Sequence, residues 1–169
     1  MKSEWREILA KSDNIGSLLD ACSMVIMEHC GGASGPIWGS AFRAAGKYAN
    51  GKTKLTVSEF SGLVEAAVKG IQLTGERSFG RGAVVGDKTL IDALVPAAES
   101  LKASAENRDD AKTALVRSAE AAVKGAKATE DFAARMGRAA MVGDRSIGYP
   151  DAGAFALGVI FTEVAQAMN

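Results

Sequence analysis

Residues 13–29, DNIGSLLDACSMVIMEH, decide the fold class because their apolar side chains recur at spacings of three and four. The apolar positions are Ile15, Leu18, Leu19, Cys22, Val25 and Ile26. This period places them on one face of an α-helix, whereas a half-buried strand would alternate apolar and polar positions. Asp13 is expected to cap the start of this helix, and Gly31-Gly32 to end it.

Similar helix signals lie on both sides of this stretch. A short helix is expected over residues 4–11, and Pro36 opens another that runs to about Tyr48, since proline is favoured at the first helical position. The capping box Thr56-Val57-Ser58-Glu59 starts the next helix. Later helices are expected to begin at Asp87, Asp109 and Asp151, with a shorter piece from Thr129 and a kink at Pro96.

No stretch of the sequence shows the period of a strand. The sequence therefore predicts an all-α fold, a single domain over residues 1–169 in which antiparallel helices form a bundle or barrel. Two connections, residues 74–86 and 137–150, are longer than the usual helix–helix turn. Long loops in compact domains are usually functional, so binding residues are expected there.

Composition excludes several classes of protein. Twenty basic and twenty acidic side chains cancel, which argues against a nucleic-acid-binding protein or a polybasic membrane protein, and 47% hydrophobic residues argue against disorder. The N-terminal residues lack the apolar stretch of a signal peptide and no apolar run reaches 18 residues, so neither a signal peptide nor a membrane span is expected. Cys22 and Cys30 are separated by about 12 Å of helix axis, too far for a disulfide, so reduced thiols and a cytoplasmic location are expected.

Three glycine-bearing loops could bind an anion. In Gly31-Gly32-Ala33-Ser34-Gly35-Pro36, small residues precede a helix N-terminus that presents free amides, which suits phosphate; a tight helix–helix turn is the alternative. Gly86-Asp87-Lys88-Thr89 is not a P-loop, because Asp87 precedes the lysine and no strand precedes the loop; an N-cap is the simpler interpretation. In residues 137–148, Arg138 and Arg145 could clamp phosphate or pair with Asp144. His29, the only histidine, is interpreted as structural, and no set of residues has metal-ligand spacing.

The three loops, in this order, resemble the nucleotide-binding domain of the dihydroxyacetone (glycerone) kinase family, its L subunit or C-terminal domain. The resemblance implies an eight-helix antiparallel barrel that binds ATP or ADP. It implies phosphoryl transfer to a small ketose or triose held by a separate dihydroxyacetone-binding subunit or domain. In some members, a phosphotransferase-system protein rephosphorylates bound ADP. Carried over motif by motif, it implies nucleotide binding by Gly32, Ala33, Ser34, Gly35, Gly82, Leu90, Arg138, Asp151, Ala152 and Gly153.

One family motif has no counterpart in this sequence. Family members carry an N-terminal motif ending Asp-x-Asp-His-Gly, whose aspartates hold two magnesium ions, and this sequence contains no such motif. Magnesium is thus expected for the family, but its ligands are expected to be absent from this sequence. About two helices of the barrel are also expected to be absent. The chain alone is expected to be inactive, and the resulting apolar seam to favour self-association.

Three functions follow from these observations. The first is the nucleotide-binding part of a dihydroxyacetone-type kinase. The second is a catalytically inactive module of the same fold that binds a nucleotide or a partner. The third is a purely structural helical bundle. The resemblance favours the first.

Overall fold

The computed structural model describes residues 4–168, and within that range every regular element is a helix. The α-helices are α1 (Trp5–Ala10), α2 (Ile15–His29), α3 (Ser34–Tyr48), α4 (Val57–Phe79), α5 (Ile91–Glu106), α6 (Ala111–Ala128) and α7 (Ala152–Gln166). Two 3₁₀ segments, Thr129–Asp131 and Arg138–Ser146, lie between α6 and α7. The predicted all-α fold is confirmed. No helix in the described range is long and apolar enough to cross a bilayer.

The chain divides into two compact units, Met1–Gly82 and Ala83–Asn169. In the first unit, α3 packs against both α2 and α4, and glycines allow the helix backbones to approach closely. A Cβ at Gly16 would lie 2.6 Å from the Cα of Asn50, and one at Gly70 would lie 2.6 Å from the carbonyl oxygen of Ser40. Both cysteines, in this unit, are free thiols, as predicted.

In the second unit, α6 packs against both α5 and α7. The core consists of Ile91, Leu94, Leu101, Leu115, Ala122 and Leu157, each less than a tenth exposed. Pro96 lies inside α5, so the carbonyl of Asp92, four residues earlier, has no helical donor. Gly125 of α6 packs its Cα against that carbonyl, where a Cβ would collide with the oxygen. Pro96 and Gly125 therefore fix a close crossing of α5 and α6.

Two of the predicted caps are confirmed. The Thr56 side chain accepts from the Glu59 amide, and the Glu59 carboxylate accepts from the Thr56 amide at 2.8 Å. The hydrogen bond from the Lys52 ammonium at 2.8 Å, followed by those from the Thr56 amide and hydroxyl, lowers the pKa of Glu59 to about 2. At the start of α7, the Asp151 carboxylate accepts from the Ala154 amide at 2.8 Å.

Three other predicted caps are wrong, two of them by one position. Asn14, rather than Asp13, caps α2 in a reciprocal capping box with Ser17. Asp110 caps α6, and its predicted neighbour Asp109 instead binds Arg117 at 2.6 Å. In both cases two adjacent polar residues could cap, and the residue whose side chain reaches the amide three positions later does so. Asp87 caps no helix.

Two boundaries also differ from the prediction. The segment after Thr74, predicted as loop, continues α4 to Phe79, where Gly80 ends the helix in the left-handed conformation with φ of 76°. The glycine-rich composition predicts a loop from Thr74 onward, but Gly75 lies inside α4 and only Gly80 ends the helix. Pro36 is the third residue of α3 rather than the first, because α3 already begins at Ser34.

Candidate functional site

The turn between α2 and α3 carries the first group of predicted residues. Gly32 has φ of 64°, which favours glycine, and Ser34 is the first residue of α3. The amides of Gly32, Ala33, Ser34 and Gly35 have no acceptor within residues 4–168, and the Ser34 hydroxyl there has no partner. Because Ala33 cannot cap α3 with its side chain, these donors remain available to an anion.

Gly35 has a structural role that the sequence did not show. It is buried, and a Cβ at this position would collide with the carbonyl oxygen of Cys30. In contrast, a Cβ at Gly31 would meet nothing within 4 Å. The glycine at position 35 is therefore required by the fold of the turn, whatever binds there.

The second unit brings four predicted residues together at the start of α7. Asp151, Ala152 and Gly153 form the first turn of this helix, and a Cβ at Gly153 would lie 3.1 Å from the Cβ of Leu90. The Asp151 amide donates to the Thr129 hydroxyl at 2.8 Å, which ties α7 to the end of α6. Leu90, which precedes α5, is half-buried against this turn.

The Asp151 carboxyl lies in a partly buried, charged environment. Burial raises its pKa above the ordinary 3.8, and the nearby Asp92 carboxylate raises it further. Its hydrogen bonds from the amides of Ala154 and Gly153, and the Lys88 ammonium, act in the opposite direction. Asp151 is therefore a helix cap whose protonation is sensitive to its surroundings.

The other two predicted residues, Arg138 and Gly82, lie in different parts of the chain. Arg138, the first residue of the longer 3₁₀ segment, is exposed, and Arg145 donates to the carbonyl of Val142, so within the described range neither arginine pairs with Asp144. The alternative of a salt-bridged loop is therefore not observed, and the Arg138 guanidinium is available to a ligand. Gly82 belongs to the first unit, where a Cβ would lie 3.2 Å from the Cβ of Gln72.

The segment Gly86-Asp87-Lys88-Thr89 differs most from its sequence interpretation. Asp87 and Lys88 are only 2% and 4% exposed, and Lys88 has φ of 61°. No side chain caps α5; Asp92, in its first turn, instead holds the preceding loop by accepting from the amides of Gly86 at 2.6 Å and Thr89 at 2.7 Å. Sequence reasoning missed Lys88 because its partners lie more than 40 residues further along the chain.

Two other features of residues 4–168 bear on ligand binding. No group of three or more histidine, cysteine, aspartate and glutamate side chains within them could hold a metal ion. A mostly apolar groove of about 360 Å³ runs between α6 and α7, lined in part by Val123, Phe155 and Val159, and none of the predicted binding residues lines it.

A comparison with known proteins identifies the family. A family model of the DAK2 domain matches residues 1–166, and the chain belongs to the DAK2 domain family. The resemblance to the nucleotide-binding domain of dihydroxyacetone kinases is thereby confirmed.

Individual relatives are similar over most of the chain. It is 35% identical over 147 residues to the ADP-binding subunit DhaL of PEP-dependent dihydroxyacetone kinase 2 from Listeria innocua, covering 87% of this chain and 65% of the relative. It is 35% identical over 141 residues to the ADP-binding subunit DhaL of the Escherichia coli PEP-dependent dihydroxyacetone kinase, covering 83% and 64%. A D-erythrulose kinase from Mycolicibacterium smegmatis is 31% identical over 161 residues, covering 95% and 27%. The match thus spans just under two thirds of the two DhaL subunits.

Proposed function

We propose that this chain binds ADP or ATP as the nucleotide-binding part of a dihydroxyacetone-type kinase. The observation that carries the proposal is the α2–α3 turn, where four consecutive amides and one hydroxyl lack partners within the described residues. Such a cluster of donors at a helix N-terminus suits the phosphate groups of a nucleotide. The names of two DhaL relatives as ADP-binding subunits support this ligand class.

The other predicted residues receive roles by the same proposal. Leu90 would pack against the adenine, because it is an apolar, half-buried side chain beside a helix start. Arg138 would contact the nucleotide through its unpaired guanidinium. Residues 151–153 would shape the site with the first turn of α7, and Gly82 is the remaining contact that the family resemblance suggests.

The proposed reaction is phosphoryl transfer to a small ketose or triose in the cytoplasm. The substrate would be held by a separate dihydroxyacetone-binding subunit, and magnesium would accompany the nucleotide. Relatives are named PEP-dependent and, in Lactococcus lactis, PTS-dependent, which supports a phosphotransferase-system protein as the phosphate source. Two relatives are named D-erythrulose kinase and L-erythrulose kinase, which keeps other ketoses as substrates within the proposal. ATP remains the alternative donor that the family resemblance implies.

Titration calorimetry with ADP tests the binding function, with adenosine and inorganic pyrophosphate as probes of the two halves of the ligand. We expect saturable ADP binding with a Kd below about 0.1 mM, which corresponds to roughly −5.5 kcal/mol. Weaker binding of adenosine would show that phosphate contacts contribute. No saturation by ADP at millimolar concentration would contradict the proposal.

A second assay separates the kinase from an inactive binding module of the same fold. The chain is mixed with a dihydroxyacetone-binding subunit, dihydroxyacetone and either ATP or the phosphotransferase-system proteins with phosphoenolpyruvate. Product formation that depends on this chain supports the kinase. ADP binding without any turnover would favour the inactive module.

A further inference from the structure

The Lys88 side chain is buried in a cage of backbone carbonyls in the second unit. Its ammonium donates to the carbonyl oxygens of Thr129 at 2.5 Å, Phe132 at 3.0 Å and Ser146 at 2.7 Å. An ammonium has three protons, so these three acceptors satisfy it completely. A lysine that is 4% exposed would otherwise carry a large desolvation cost.

The three acceptors hold both ends of one segment. Thr129 and Phe132 precede the loop that carries Arg138, and Ser146 ends it. Two further hydrogen bonds close the same loop, because the Ser146 hydroxyl accepts from the Ala134 amide at 2.9 Å and the Gly148 amide donates to the Glu130 carbonyl at 2.8 Å. The ammonium thus joins the two ends of a segment that would otherwise depend on a few local contacts.

The backbone around Lys88 is built to aim its side chain into the cage. Its φ of 61° is rare for a residue with a side chain, and Asp92 holds the loop by accepting from the amides on both sides. The Asp87 carbonyl also accepts from the Arg135 amide at 3.0 Å. A strained backbone conformation retained at a buried charge indicates a specific role for that charge.

We propose that Lys88 is a positioning residue for the proposed nucleotide site: its ammonium fixes the segment 129–151, and through it Arg138 and the first turn of α7, for ligand binding. This rests on the proposed function, because Arg138 and residues 151–153 are assigned to the nucleotide there. Lys88 itself does not touch the ligand, since all three of its protons are used by carbonyls.

Two variants with matched controls test the proposal. Lys88→Met keeps most of the side-chain volume and removes the charge, and Lys102→Met is its control on an exposed lysine of α5. Lys88→Gly relaxes the positive φ and opens the cage to added n-butylammonium, with 1-butanol as the neutral probe. Arg108→Gly, at an exposed residue with φ of 60°, controls for the relaxed backbone.

The readouts are amide hydrogen exchange and ADP affinity. In Lys88→Met, amides of residues 132–149 should exchange about 10- to 100-fold faster, because two buried carbonyls and one part-buried carbonyl lose their donor, while core amides of α5 and α6 keep the parent rates. ADP should bind at least about tenfold more weakly, as expected for the loss of a buried hydrogen-bonding partner. Butylammonium, but not butanol, should restore both properties to Lys88→Gly, and the two controls should match the parent.

Several results would overturn the proposal. Unchanged exchange in residues 132–149 would show that the cage does not hold the segment. Exchange that accelerates equally throughout α5 and α6 would show a global effect instead of positioning, as would failure of butylammonium to rescue a folded Lys88→Gly. ADP affinity within twofold of the parent would remove the link to the ligand. Absence of ADP binding by the parent would overturn the proposed function and the ligand-binding half of this proposal, while the exchange data still decide whether the cage positions the segment.

Discussion

The Ser34 hydroxyl offers a direct test of the phosphate-binding turn. It is exposed, and it makes no hydrogen bond within residues 4–168. Ser34→Ala therefore removes no internal contact, and alanine is at least as favourable as serine in a helix. Gly35→Val, in contrast, would place a branched side chain against the Cys30 carbonyl and disturb the fold itself.

The expected loss follows from the chemistry of a single hydrogen bond. A hydroxyl that donates to a charged phosphate contributes about 1.5–3 kcal/mol, which corresponds to roughly 12- to 160-fold in Kd. The four unpartnered amides would remain, so ADP binding should be weakened but not abolished. Adenosine, which has no phosphate, should bind the parent and Ser34→Ala equally.

Titration calorimetry measures the two affinities, and thermal unfolding checks that stability is unchanged. Ser58→Ala is the matched control, since Ser58 is an exposed serine in the first turn of α4. If Ser34→Ala binds ADP within twofold of the parent, the hydroxyl makes no phosphate contact. If adenosine affinity falls as much as ADP affinity, the turn does not contact the phosphates.

Three further predictions concern the framework that holds these loops. Thr56→Ala should lower the free energy of unfolding by about 1 kcal/mol through loss of the α4 cap, with the exposed Thr53→Ala as a neutral control in urea unfolding. Gly125→Ala should destabilise the second unit by about 1–3 kcal/mol, because its Cβ collides with the Asp92 carbonyl, whereas Gly158→Ala, whose Cβ would lie 3.4 Å from Val123, should be neutral or stabilising. Equal thermal stabilities of these two variants would contradict the close crossing at Gly125. Because the pKa of Asp151 is raised in the folded state, the stability that its protonated carboxyl contributes is fully present below pH 3.8 and is lost as the pH rises through the folded-state pKa. The free energy of unfolding of Asp151→Asn should therefore increase relative to that of the parent from pH 3 to pH 6, and a difference that stays constant would refute the raised pKa.

The helices could be predicted because their signals are local. The apolar period of α2 and the capping box at Thr56 each lie within a few residues, and both appear in the structure where expected. The first residue of a helix was predicted less accurately wherever two residues that can cap are adjacent, as Asp13 and Asn14 are before α2. In such pairs the choice depends on backbone angles that the sequence does not determine.

The functional loops were only partly predictable for the opposite reason. The glycine turn before α3 was recognised as an anion site from its composition, but the contact that makes Gly35 necessary is with the carbonyl of Cys30, five residues away across a turn. The Lys88 cage could not be predicted, because its acceptors are backbone atoms 41, 44 and 58 positions later. Backbone acceptors leave no signature in residue types.

The backbone oxygens around Lys88 also determine which positions of this region should tolerate substitution. Any residue at position 132 that keeps the local chain path supplies the same carbonyl, so saturation mutagenesis there should tolerate many substitutions. Position 88 should tolerate few substitutions, because only a long side chain with a terminal ammonium can donate to all three carbonyl oxygens. Second-site suppressors of a lost Lys88 cannot arise by changing the side chain of Phe132, whose carbonyl is already in place. Selection for a functional loop would therefore conserve the lysine at position 88, while substitutions at position 132 would accumulate.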